Sequence, residues 1–88
     1  MHRIVVDVAY DPEIDLDIRM FAEDVARTCA RDGHARLDLA RVRRPIDRLV
    51  VEVHSASHVR RLVKAIEEIA EKHHLSDRTL VLDEKYTP

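Results

Sequence analysis

The chain predicts an α+β fold with the element order βαββαβ, and three observations carry that reading. Short β-branched runs alternate with amphipathic stretches of helical period; the segments opening at Arg3 and Arg48 match in residue type position by position; and no linker or low-complexity stretch divides the 88 residues. A chain of this length has room for one core, so residues 1–88 are expected to form a single domain.

The first run, Arg3 to Val8, places Ile4, Val6 and Val8 on one face and Arg3, Val5 and Asp7 on the other, as a strand does. Asp11 then offers a helix-capping oxygen and Pro12 suits the first helical position. Glu13, Asp15 and Asp17 complement the positive end of the helix dipole, which also accounts for a local acidity that only superficially resembles a cation loop. Ile18, Phe21, Ala22, Val25 and Cys29 fall on one helical stripe, and the helix should close at Arg31 to Gly33, the one glycine of the chain. Cys29, lying on that stripe, reads as a core residue. Arg36 to Ala40 alternates and predicts a second strand; Arg43, Arg44 and Pro45 punctuate a hairpin into a third strand, Arg48 to Val53. Ser55 or Ser57 can cap a second helix carrying Val59, Leu62, Val63, Ile66, Ile69 and Ala70. That helix ends at His73 and His74, whose position suits the negative end of its dipole. Thr79 to Asp83 forms a last strand.

Two interleaved βαβ halves predict the ferredoxin-like sandwich, a four-stranded antiparallel sheet of order 4-1-3-2 with both helices on one face. A register follows if facing positions of strands 1 and 3 sum to 55. Arg3 then faces Glu52, Val5 faces Val50 and Asp7 faces Arg48 on the open side, while Ile4 meets Val51 and Val6 meets Leu49 inside. Every pair is complementary, and a slip of one residue would expose the inner set.

Composition narrows the function. Apolar residues make up 45% of the chain and charged residues 36%, enough to fold, but with no Trp the core must be aliphatic. No apolar run approaches the roughly 18 residues of a membrane span, and the N-terminus lacks signal-peptide character, so the expectation is a cytoplasmic protein without a membrane partner. A formal charge of −2 and an open sheet face without aromatics argue against nucleic acid. The loop Ala9 to Glu13 lacks the glycines of an acylphosphatase phosphate cradle, and a single cysteine excludes the paired cysteines of a copper chaperone. Acids dominate residues 1–24 and arginines residues 27–48, so the molecule should be dipolar.

Two groups of residues are candidates for binding. Arg41, Arg43, Arg44 and Arg48 form an arginine-rich turn suited to a carboxylate, a phosphate or an acidic protein surface, and Val5 and Val50 would be the apolar centre of an open sheet able to pair with a second copy. The topology also brings His2, His34, His54 and His58 to one edge of the sandwich, which offers an alternative reading as a zinc or nickel site. The same histidines could serve an enzyme as acid and base groups, but no nucleophile or orienting carboxylate is evident, and the expectation is a non-enzymatic module without cofactor.

The stretch from Arg48 through Ser55 and Ser57 to Ile66, followed at the end of the chain by Thr79, Leu80, Val81 and Leu82, is similar to the second half of an ACT regulatory domain, and Asp11 and Pro12 match the Asp and Pro before that family's first helix. Glu13 and Ile14 stand where glycine and an apolar residue are usual. The resemblance implies a regulatory module that forms a homodimer and binds an amino acid or similar small acidic ligand at the shared interface.

Overall fold

The computed structural model describes residues 1–85. Its regular elements are β1 (His2–Val8), α1 (Asp15–Asp32), β2 (Ala35–Arg36), β3 (Arg48–Val53), α2 (Ala56–Lys72) and β4 (Thr79–Lys85). The sheet is antiparallel with the order β2-β3-β1-β4, the expected arrangement read from the opposite edge, and the fold is ferredoxin-like. The register of β1 against β3 is also the one expected, from His2 opposite Val53 to Asp7 opposite Arg48.

That register decides which side chains face the helices. Ile4, Val6, Leu49, Val51 and Val53 are wholly buried, and both helices turn apolar stripes onto them. From α1 these are Ile18, Phe21, Ala22, Val25 and Cys29, and from α2 they are Val59, Leu62, Ile66 and Ala70, with Val63 and Ile69 packed at the margin. Burial pushes the Cys29 thiol up to about 11, with Asp32 adding to the effect, so at neutral pH it is a small apolar core group.

The helix ends differ in detail from expectation. Asp11 does cap, its Oδ1 accepting from Glu13 N–H at 3.0 Å, but the cap serves a 3-10 turn over Pro12–Ile14 and α1 begins only at Asp15. Gly33 closes α1 at φ +79°, donating its N–H to the Cys29 carbonyl at 3.2 Å; the left-handed region makes glycine the fitting residue there. Ser55 sits at the start of α2, yet its hydroxyl bonds that of Ser57 at 2.9 Å and caps nothing.

The largest departure is the second strand. Only Ala35 and Arg36 pair with β3, opposite Val53 and Glu52, and the expected continuation to Ala40 is absent. Asp38 accounts for the break: its carboxylate accepts the Ala40 N–H at 3.1 Å and caps a 3-10 turn over Leu39–Arg41. A side chain that satisfies its own downstream backbone releases it from the strand ladder. Residues 37–47 therefore form a long excursion rather than a tight hairpin, containing a cis bond between Arg44 and Pro45. Among the described residues no helix is long and apolar enough to cross a membrane.

Truncating the core should be costly where truncating the surface is not. Leu62→Ala is expected to lose about 2–5 kcal/mol of unfolding free energy. Leu16→Ala, on the solvent side of α1, should stay within about 0.5 kcal/mol. Urea denaturation of both variants checks the contrast.

Candidate ligand groove and side-chain clusters

The excursion after β2 builds a concavity. Leu37, Asp38, Arg41, Val42 and Arg43 on one side, and Asp47, Arg48, Val50 and Glu52 on the other, enclose a groove of about 440 Å³ beside the open sheet. The two binding features expected separately, the arginine turn and the open sheet, are thus walls of one site. Arg44 does not share it: the turn at Arg44 and Pro45 sends that side chain to a second concavity with Tyr10, Asp15, Arg19 and Ile46.

The arginines of the groove differ in how far they are already engaged. Arg48 is held by Asp7, with Nε at 2.7 Å and Nη2 at 3.3 Å from its two carboxylate oxygens, which fixes the guanidinium against the sheet and keeps it charged. Arg41 lies 3.6 Å from Asp38, a carboxylate also approached by Arg36 at 3.4 Å. Arg43 is exposed and, among the described residues, makes no ion pair or side-chain hydrogen bond. Glu52 and Asp47 face the same space and, among the described residues, have no salt-bridge partner, so the lining offers a cation, anions and the apolar Leu37, Val42 and Val50 together.

On the open sheet, Val50 is 38% exposed whereas Val5 is only 6% exposed, covered by the side chains around it. The apolar surface expected from Val5 and Val50 is therefore supplied by Val50 with Leu82 (41%) and Leu80 (57%). The two leucines come from β4, where Leu82 stands opposite Val5 and Leu80 opposite Asp7. Their alternation with the partly buried Val81 is the sequence signal that marks them as a second face.

The histidines meet only in part. The His54 N–H donates to the His34 carbonyl at 2.8 Å, and the rings of His34 and His58 lie 4.3 Å apart, so the expected gathering at one edge occurs. Of the histidines considered for zinc or nickel, His2, His34, His54 and His58, the ring contact is between His34 and His58, and among the described residues no group of three or more His, Cys, Asp or Glu side chains is arranged to hold a metal ion. One of the four, His58, is engaged by Asp32. Its largely buried carboxylate lies 3.0 and 3.2 Å from His58 Nδ1 and accepts from Arg61 Nη2 at 2.8 Å, drawing His58 toward the helix pair. Asp32 is the orienting carboxylate that sequence reading missed. With Arg61 also on Asp32 Oδ2 and the neighbouring serines bonded to each other, the cluster ties α1 to α2.

A second tie joins the helices elsewhere. His73 Nε2 lies 2.5 Å from Asp24, which also contacts Arg27 and, at 3.6 Å, Lys72. His73 thus has a specific partner on α1 beyond the dipole effect expected of it. The bonds from His73 and then Arg27, against the opposing effect of burial, bring Asp24 down to about 2. For Asp32 burial opposes ionisation, but the bonds from Arg61, His58 and the His34 N–H outweigh it and also bring the group to about 2.

Compared with known proteins, the chain matches no protein-family model, no curated protein and no solved structure. The functional reading accordingly stands on the groove, the sheet face and these clusters.

The two depressed carboxylates set a direction for acid stability. Both titrate below the ordinary 3.8, so the unfolded chain binds more protons than the native one in that range. Their contribution should be complete above about pH 4 and fall away as the pH drops through about 2. Denaturant midpoints measured across this window should decline, and the decline should be shallower in Asp24→Asn and Asp32→Asn, each less stable than the parent at pH 7.

Proposed function

We propose that the chain is a small non-enzymatic regulatory module that self-associates and binds a small acidic ligand in the groove between residues 37–43 and β3. The observation that carries this reading is Arg43: an exposed guanidinium without an ion-pair partner among the described residues, at the wall of a groove that also presents Val50 and Leu37. A guanidinium presents a planar fork of donors matched to a carboxylate, and Arg48, already held by Asp7, can add the N–H donors that Asp7 leaves unused without the entropy loss of ordering a mobile chain. Glu52 and Asp47 suit a ligand amine, and the apolar lining suits a short hydrocarbon portion, so the chemistry fits a small amino acid or related amphoteric acid. The similarity of residues 48–66 and 79–82 to an ACT regulatory domain supports the same class, since it implies a ligand beside a surface shared by two copies. Val50, Glu52 and Arg48 belong both to the groove and to the open sheet.

Amide chemical shifts of the labelled protein, followed while the standard amino acids and short dicarboxylates are added, test this reading. At least one compound should shift resonances of residues 37–43 and 47–52 in a saturable way. Arg43→Ala should weaken its binding by about tenfold or more, the size expected for loss of a charge-assisted bond. No saturable shift from any compound would overturn the ligand assignment.

A further inference from the structure

The strand registers allow the open face to be written as rows. At one end Arg36, Glu52, Arg3 and Glu84 stand side by side across β2, β3, β1 and β4. The middle row is Val50, Val5 and Leu82, and the far row is Arg48, Asp7 and Leu80. Signs alternate along both charged rows, with neighbours linked at 3.4 Å between Arg3 and Glu84 and at 2.7 Å between Arg48 and Asp7. Three arginines balance three carboxylates, so the face as a whole exerts no net attraction on a strongly acidic or strongly basic partner.

An alternating pattern is its own complement when displaced by one strand. Turning a second copy by 180° about an axis that runs along the strands, midway between β1 and β3, lays Arg3 over the second copy's Glu52 and Asp7 over its Arg48. The same turn brings Arg36 to its Glu84 and Val50 to its Val5, and each contact occurs twice, as a two-fold interface requires. A turn about an axis across the strands also opposes unlike charges, but it stacks residues 37–43 of the two copies on each other. Those residues rise beside the open-face side chains of β3 to form the groove, and the axis along the strands separates the two sets, placing each over the other copy's edge strand β4 with its exposed Leu80 and Leu82.

We infer that the open face is the docking surface for a second copy of this chain, paired sheet to sheet about that axis. The inference rests on the self-association part of the proposed function and adds to it the surface and the register. Leu82 and Val50 supply the exposed apolar contacts, and the charged rows select the partner and its orientation.

Sedimentation velocity of the full chain over a concentration series, with circular dichroism to confirm folding, provides the test. The parent should dimerise, and Leu82→Asp and Val50→Asp, both at exposed positions, should stay folded and monomeric. Glu52→Arg and Arg3→Glu should each weaken pairing by about tenfold or more, since each places like charges against one another twice. Mixed in equal amounts, these two variants should recover a heterodimer, because the arginine placed at 52 then meets the glutamate placed at 3. The axis across the strands would give no such recovery, as it sets position 52 against Arg48. A parent that remains monomeric overturns self-association itself. A dimer indifferent to Leu82→Asp and Val50→Asp, or charge variants that fail to recover on mixing, overturns the docking surface or its register and leaves self-association standing.

Discussion

The pairing of β1 with β3 is the constraint on which the rest of the molecule depends. These central strands send Ile4, Val6, Leu49 and Val51 under the helices and Arg3, Asp7, Arg48 and Glu52 to the open side. The side-chain period of a strand is two, so a shift of one residue would exchange the two sets, burying charge and exposing the core. The same pairing delivers Arg48 to Asp7 and sets Val50 and Glu52 along the groove. Scaffold and candidate site are therefore specified by one set of cross-strand neighbours.

The helix layer is organised differently. Its cohesion comes from apolar stripes, and among the described residues no polar or charged residue is fully buried. The two aspartate-centred clusters lie at the margin of that layer, with the aspartates and histidines mostly covered and their long cationic partners Arg27, Arg61 and Lys72 in solvent. Their role is geometric. Asp32 holds His58 of α2 and Asp24 holds His73 at the C-terminal cap of that helix, and together they fix how the two helices lie along one another. His58 bonds Asp32 while its ring lies against that of His34, so one of the edge histidines is already committed to the tie between the helices.

What was legible in the sequence follows from which interactions are periodic. The strands β1 and β3, their register and the buried stripes of both helices repeat at two or at about 3.6 residues and could be read directly. β2 could not, because Leu37, Asp38 and Leu39 alternate like a strand while Asp38 spends its carboxylate on the backbone of Ala40. The arginine cluster was visible as composition, but its division, with Arg44 apart from Arg41, Arg43 and Arg48, depends on the path of the turn at Pro45. Leu80 and Leu82 became part of a surface only once β4 had a register. Asp32 did leave a trace: an acid in the last turn of a helix opposes the dipole, and such a placement calls for a compensating partner.

The two-residue length of β2 separates the part of the chain that folds the sheet from the part that shapes the groove. Residues 37–47 contribute little to the ladder, while β3 takes its alignment from β1. Changes of length or side chain in the exposed portions of that segment can therefore accumulate with little effect on the core, apart from the buried anchors Leu37 and Ile46. A lineage carrying this scaffold could diversify what it recognises by varying one connection, much as a tool keeps its handle while its bit is exchanged.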